Sequence, residues 1–142
     1  MKTRVTSLLI VLSLAACGTI EQKVKPVAFS AGEPREICVV ENPSVTENFL
    51  AAYKNALSKR NLAVRMLPQG LAVDTCPLTS TYTANWRWDM ALYLAYANLK
   101  VYRNGRLEGE ALYDGLKAGL DTDKFIHAEA KIQELTNQLF PD

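Results

Sequence analysis

The sequence predicts an α+β fold, a two-layer sandwich in which two helices cover one face of a mostly antiparallel sheet of about four strands, in the order β-α-β-β-β-α. Three observations predict it. Apolar residues occupy alternate positions from Tyr82 to Tyr96, as in a strand with one buried face. Residues 49–57 and 125–139 instead carry apolar residues at helical spacing. Asn104-Gly105 separates two β-type runs and favours a type I′ hairpin turn.

The first half of this fold is predicted as strand, helix and strand. Residues 36–40 form a short β-rich run. Ser44 and Glu47 fit a capping box at the start of a helix. Apolar residues then recur at the spacing of an amphipathic helix: Phe49, Ala52, Tyr53, Ala56 and Leu57. Larger apolar residues at alternate positions over 62–66 predict a second strand. In a strand-helix-strand unit, this strand is expected to pair in parallel with the first.

The second half is predicted as two strands and a helix. One long strand covers 82–96, and a change in the apolar phase indicates a bulge or break near Ala97. The return strand after the hairpin turn covers residues 107–113. Phe125 begins the apolar stripe of the last helix, which starts near Asp123.

The beginning of the chain is typical of a secreted bacterial lipoprotein. In residues 1–16, two cations precede an apolar stretch that is too short to span a bilayer, which requires about 20 apolar residues. Leu14-Ala15-Ala16-Cys17 resembles the lipobox of bacterial lipoproteins. The resemblance implies that the signal is removed before Cys17 and that the Cys17 thiol carries the lipid that anchors the protein to the membrane.

The residue after that cysteine bears on localisation. In enterobacteria-like lipoproteins, Asp at this position retains the protein in the inner membrane, so Gly18 implies the periplasmic face of the outer membrane. Residues 17–34 have no apolar period and are predicted to be the lipidated N-terminus and a flexible tether of at most about 55 Å. Residues 35–142 are predicted to form a single α+β periplasmic domain.

Charge and cysteine content restrict the partners and cofactors. The chain has 16 basic and 15 acidic residues. It therefore lacks the excess of positive charge that nucleic-acid binding requires. Cys38 and Cys76 are the two cysteines that remain beside the lipidated one, and the oxidising periplasm favours a disulfide between them. The alternative is a pair of buried thiols. One histidine and two distant cysteines form no zinc pattern, so we predict no metal and no cofactor.

The aromatic run on the long predicted strand has two interpretations. Tyr82, Trp86 and Trp88 share one face, which we predict to be core because the helices need large side chains to pack on. The alternative is a stacking platform for a sugar or an aromatic ligand. Arg87 and Asp89 share the opposite face, where they form either an interaction site or a surface ion pair.

The remaining polar residues do not combine into a catalytic motif. His127 is the single histidine and is predicted to be a solvated residue on the polar side of the last helix. Asp114, Asp121 and Asp123 border a loop that contains glycines, and they are the candidates for a polar or cation site. We predict no catalytic residue, because nucleophile-elbow, zincin and P-loop patterns are absent from the sequence.

The segment Tyr82-Thr83-Ala84-Asn85-Trp86-Arg87-Trp88-Asp89 resembles the core signature of the Sbal-type, YajI-like family of small uncharacterised proteobacterial lipoproteins. The resemblance continues through 109–114, 124–126, 131–135 and 139–141, and it covers roughly the last 65 residues well. It implies an α+β periplasmic domain on a lipid anchor and implies no activity.

These observations lead to one functional prediction and several alternatives. We predict a membrane-anchored, non-enzymatic envelope lipoprotein that binds an unidentified envelope protein as an accessory factor. The expected contacts lie on the second sheet face or in the acidic loop: Arg87, Asp89 and Tyr93, or Asp114, Asp121 and Asp123. The alternatives are a small-ligand or lipid-binding carrier with a pocket between sheet and helices, an auxiliary component of an envelope transport system by fold analogy, and, third, an enzyme.

Overall fold

The computed structural model describes residues 18–142, so the predicted signal and Cys17 lie outside the described residues. Two helices pack on one face of a six-stranded sheet, which confirms the α+β class. The strands are β1 (Glu21–Lys25), β2 (Glu36–Val40), β3 (Ala63–Leu67), β4 (Leu78–Asp89), β5 (Ala91–Arg103) and β6 (Arg106–Asp114). The helices are α1 (Glu47–Lys59) and α2 (Ala128–Leu139), and a 3₁₀ helix spans Thr122–Phe125.

The sheet is mixed and has the strand order β1-β6-β5-β4-β2-β3. Strand β2 runs parallel to both β3 and β4, and the β1–β6, β6–β5 and β5–β4 pairs are antiparallel. The parallel pairing of β2 with β3 around α1 was predicted and is confirmed. No helix among residues 18–142 has the length and apolar character needed to cross a membrane.

The predicted sheet of about four strands is wrong, first because residues 82–96 form a hairpin and not one strand. The chain reverses at Met90, whose φ is 57°, so that Trp88 pairs with Leu92 and Trp86 with Leu94. Two residues paired across the hairpin are the same number of positions before and after Met90, and their side chains lie on the same face of the sheet. The alternation of apolar and polar residues therefore continues through the turn as it would in a single strand. The residue at the reversal itself, Met90, is not one of those that usually mark a turn, and Asp89 beside it is the segment's single turn-favouring residue.

The second missed strand is β1, which lies in the segment predicted as a flexible tether at 17–34. Glu21 pairs with Asp114, and the pairing continues to the end of β1. The following segment also packs on the domain, because Val27 is buried and Arg103 donates hydrogen bonds to Glu33 and to the Ala28 carbonyl. Strand β1 is polar at every position except Val24, so its sequence contains no apolar period from which a strand could be predicted.

The core lies between the helices and the sheet. Its largest members are apolar and aromatic side chains from every layer: Phe49, Tyr53 and Leu57 of α1, Ile132, Leu135 and Leu139 of α2, and Tyr82, Leu94, Leu99 and Tyr113 of the sheet. Gly109 permits a close approach of β6 to the helix layer, since a Cβ there would collide with Val27 and contact Leu139. The Val27 amide also donates to the Leu139 carbonyl at 2.8 Å.

Several element boundaries differ from the predicted ones. Helix α1 has Thr46, not Ser44, as its N-cap, and the Thr46 side chain accepts from the Phe49 amide. Helix α2 begins at Ala128 rather than near Asp123, because the preceding turn closes as a 3₁₀ helix. Phe125 therefore lies outside α2.

The turn and bulge predictions are confirmed by the strand pairing. The Asn104-Gly105 hairpin is confirmed, with φ values of 48° and 79° and pairing of Arg103 with Arg106. The bulge predicted near Ala97 is confirmed two positions before it, opposite the step from Asn85 to Trp86 on β4. Strand β5 accommodates the register shift at Ala95, since Tyr96 and Leu94 occupy the adjacent paired positions.

Candidate functional site

The two segments predicted to make contacts meet at one end of the sheet. Strand β6 ends opposite Tyr96, so the outer part of β5 extends beyond it. The loop after β6 and the 3₁₀ helix cover this part of β5, and the Gly115 amide donates to the Ala95 carbonyl at 2.8 Å. The rings of Tyr93 and Phe125 meet edge to face with centroids 5.6 Å apart.

Lys124 is the centre of this contact. It is 4% exposed, and its Nζ donates to Oδ2 of Asp89 at 2.6 Å and to the Gly119 carbonyl. The ammonium also lies 5.5 Å from the centroid of Tyr93 and 5.2 Å from that of Phe125, within cation–π range. A buried charge needs such partners, because it has lost its hydration. This network fixes the loop against the tip of the β4–β5 hairpin.

The predicted ion pair of Arg87 with Asp89 is therefore replaced by Lys124 with Asp89. Arg87 is exposed at the end of the open sheet face, and Tyr93 is buried beneath the loop. Sequence reasoning missed Lys124, since nothing in its sequence context marks a lysine that becomes buried.

The acidic loop residues have structural contacts of their own. Oδ1 of Asp114 accepts from the Leu116 amide at 2.9 Å, and Oδ1 of Asp121 accepts from the Asp123 amide at 3.0 Å. Asp121 is thereby the N-cap of the 3₁₀ helix. Within residues 18–142, no three His, Cys, Asp or Glu side chains gather into a group that could hold a metal ion.

The same end of the molecule exposes large apolar side chains. Trp88, Met90 and Leu92 on the hairpin tip are 75%, 83% and 68% exposed. The prediction that Trp88 is core is wrong, because the tip extends past the helices that cover the rest of this face. Trp86 is half-buried and packs against the core, so its prediction holds in part.

A groove of about 470 Å³ lies between α1 and α2 beside Trp86. Phe49, Ala52 and Ile132 contribute its apolar wall, and Asn48, Asn55 and Glu129 its polar rim. Nε1 of Trp86 is buried and has no hydrogen-bond acceptor among the described residues. An indole N–H without an acceptor is costly in a folded protein, and a ligand oxygen in the groove would satisfy it if the Trp86 side chain turned toward the groove.

A polar network attaches β1 to α2. Gln22 donates to Glu134 at 2.8 Å, and Nζ of Lys131 donates to Gln22 at 3.0 Å and to Glu134 at 2.8 Å. Burial acts to raise the pKa of Glu134, but the hydrogen bonds from Lys131 and Gln22 outweigh it and hold the pKa below its ordinary value. Burial, followed by the charge of Asp121, raises the pKa of Tyr113.

A cavity of about 720 Å³ opens beside this network. Residues 18–20, Asp121 and Asp123 line it, together with Lys131 and Tyr113. The Tyr113 hydroxyl is buried and has no hydrogen-bond partner among the described residues.

The predicted disulfide between Cys38 and Cys76 is present in the structure. It lies at the β2–β3 side of the open sheet face, beneath Arg65, whose guanidinium donates to both sulfur atoms at 3.3 and 2.9 Å. The bond ties the loop after β3 to the sheet.

His127 is exposed at the N-cap of α2, not on its polar side, and its side chain forms no capping hydrogen bond. The only histidine of the chain thus lies outside both cavities described above, although it borders a shallow depression with Lys59 and Gln133. At this position, His127 forms no catalytic pair with a nucleophilic side chain of the described residues.

No family model and no curated protein matches this chain. Among solved structures, it is similar to the PelC dodecamer from Paraburkholderia phytofirmans, with 16% identity, a TM-score of 0.56, and coverage of 86% of this chain and 98% of that one. A point variant of that dodecamer in another space group gives 16% identity, a TM-score of 0.55, and coverage of 88% and 99%. The likeness establishes the fold alone.

A third similar structure is a minor lipoprotein from Acinetobacter baumannii. Its identity is 14% and its TM-score 0.43, with 74% of this chain and 90% of that chain covered. The resemblance to the Sbal-type family stays a prediction, since no family model supports it.

Proposed function

We propose that this chain is a lipid-anchored, non-enzymatic envelope lipoprotein that holds another protein against the open face of its sheet. The observation that carries the proposal is the placement of both helices on one face, which leaves the central part of the other face open between the loops that cover its two margins. The anchor is Cys17, proposed from the lipobox, and Gly18 after it favours the outer membrane.

The uncovered face is polar and rich in groups that form hydrogen bonds. Its central strands present Thr81, Thr83 and Asn85 from β4, and Tyr96, Asn98, Lys100 and Tyr102 from β5. Oδ1 of Asn98 is buried there and has no hydrogen-bond partner among the described residues. Tyrosines on a flat polar surface are typical of protein interfaces, because the ring buries area and the hydroxyl forms hydrogen bonds.

Further copies of this chain are the first partner to test. The similar PelC structure is a dodecamer, and head-to-tail contacts between identical subunits close into rings when the rotation allows. The open face would supply one side of such a contact. Arg87, exposed at the hairpin end of this face, is a proposed member of the contact.

Site-specific photo-crosslinking in cells tests the proposal. A photoreactive phenylalanine analogue replaces Thr83 or Tyr102 on the open face, or Lys54 on the exposed side of α1 as a matched control. We expect discrete protein adducts from the two sheet positions and none from the helix position. Co-expression of two epitope-tagged copies identifies self-assembly when one adduct carries both tags. Sheet positions that give no more adduct than Lys54 would contradict the proposal.

The groove between α1 and α2 favours a second candidate function, a carrier of a small apolar ligand with a hydrogen-bond acceptor. Its apolar wall and the unsatisfied Nε1 of Trp86 suit a fatty acid or an ester. In a Trp88→Phe background, a fatty acid should shift the fluorescence of Trp86. Ala52→Phe, which fills the groove, should abolish the shift. No shift at any fatty acid concentration would exclude this candidate.

A further inference from the structure

The large exposed apolar side chains of this domain are concentrated at one end. Among the described residues, eight such side chains are exposed, and six of them lie on the hairpin tip or on the adjacent loop: Trp88, Met90, Leu92, Leu116, Leu120 and Ile126. The contacts of Lys124 with Asp89, and of Phe125 with Tyr93, join the tip and the loop into one surface. We call this surface the apolar end.

The described chain begins at the same end. Gly18 lies against the backbone of the loop after β6, where a side chain would collide with the Lys117 carbonyl. Strand β1 then starts at Glu21, opposite Asp114 at the end of β6. Only residues 18–20 separate Cys17 from the sheet, and the four steps from Cys17 to Glu21 span about 14 Å at most. A lipid on Cys17 would therefore place the apolar end at the bilayer surface.

We propose that the apolar end is a membrane-contact surface, in which Trp88, Met90 and Leu92 insert into the interfacial layer of the bilayer and Leu120 lies beside them. This inference rests on the proposed lipid anchor at Cys17. Indole rings favour the interfacial layer, where the apolar ring is buried and the N–H stays hydrated. Burial of the neighbouring aliphatic side chains in acyl chains adds the stabilisation expected for apolar area removed from water.

The charges at this end identify the class of lipid surface. The cations Arg87, Lys117 and Lys124 are matched by the carboxylates of this end, Asp89, Asp114, Asp121 and Asp123, so no excess of positive charge faces the membrane. Attraction to anionic headgroups depends on such an excess. The surface that fits is therefore zwitterionic, and the contact depends on apolar insertion together with the anchor.

Bromolipid quenching tests this contact on the lipidated full-length product, purified from membranes and reconstituted into phosphatidylcholine vesicles. Trp86→Phe leaves Trp88 as the single indole. The matched control carries Trp86→Phe, Trp88→Phe and Leu71→Trp, which moves the indole to an exposed position in the loop before β4, at the opposite end of the sheet. We expect lipids brominated near the headgroup to remove most of the Trp88 fluorescence and to leave the indole at position 71 unquenched.

Mass spectrometry of the same sample separates the two ways of failing. A chain without lipid on Cys17 overturns both the anchor and the membrane contact. A lipidated chain whose Trp88 is not quenched overturns the contact alone. If Trp88 is unquenched but shielded from acrylamide in native membranes, a protein covers the apolar end, and the membrane assignment is wrong. Equal quenching in vesicles with and without anionic lipid is expected.

Discussion

Lys124 and Asp89 lie 35 positions apart in the sequence, yet their side chains form a 2.6 Å hydrogen-bonded ion pair at the apolar end of the domain. Lys124 belongs to the 3₁₀ helix and Asp89 to the tip of the β4–β5 hairpin. The pair holds the loop against the hairpin, and so it determines the shape of the apolar end.

Asp89→Asn should loosen this end of the molecule. The buried ammonium of Lys124 would lose its carboxylate, and we expect a loss of about 1–2 kcal/mol, discounted because Asp89 is half exposed. Amide hydrogen exchange over residues 115–126 should accelerate while α1 stays protected. Arg87→Gln, two residues away and exposed, is the control and should leave exchange unchanged. An unchanged loop in Asp89→Asn would show that the ion pair does not hold it.

The disulfide should contribute strongly to stability. It closes a loop between positions 38 residues apart, for which the chain-entropy model gives about 4 kcal/mol. Urea unfolding of the oxidised protein and of the Cys38→Ala, Cys76→Ala double variant measures the difference. A double variant as stable as the oxidised protein would contradict this prediction.

The two tryptophans should respond differently to substitution. Trp86→Ala removes a half-buried ring packed on the core and should cost about 2–4 kcal/mol. Trp88→Ala removes a ring that is 75% exposed and should change stability by less than about 0.5 kcal/mol. Thermal unfolding of both variants without membrane tests the difference. Equal losses would contradict the separation of core from apolar end.

Acid should weaken the attachment of β1 through Glu134. Its pKa is lowered in the folded protein, so its stabilising contribution is present above the unfolded value of about 4.3 and is lost as the pH falls through the folded pKa. Glu134→Gln should therefore lose less stability than the wild type when the pH falls from about 5 to about 3. Glu129→Gln, an exposed acid in the same helix, is the control. Parallel acid profiles for wild type and Glu134→Gln would refute the role of this network.

The sequence predicted those elements whose local pattern agrees with their tertiary surroundings. Residues 36–40, the parallel β2–β3 pair and the Asn104-Gly105 hairpin followed from β-propensity, strand-helix-strand topology and turn chemistry. The Met90 turn was missed because a symmetric hairpin preserves the apolar alternation of a single strand. Strand β1 was missed because pairing with β6, and not an apolar face of its own, places it in the sheet.

The candidate site was predictable only as two separate segments. Arg87, Asp89 and the acidic loop were identified as polar residues with no core role, but their proximity depends on the burial of Lys124 and on the length of β5 beyond β6. Neither is a local property of the sequence. The exposure of Trp88 likewise could not be predicted from the local sequence. The sheet face that carries Trp86 and Trp88 is apolar along its length, and the length of the helices determines which part of that face is buried.

Intact-mass analysis of the protein extracted from the membrane fraction tests the central claim, that this domain is attached by lipid immediately before its sheet. We expect one species that begins at Cys17, lacks residues 1–16, and carries a diacylglyceryl group on the thiol. Cys17→Ala should remove both the lipid and the cleavage. A chain cut elsewhere, or an unmodified Cys17 in the membrane fraction, would show that the domain is not anchored by lipid at this position.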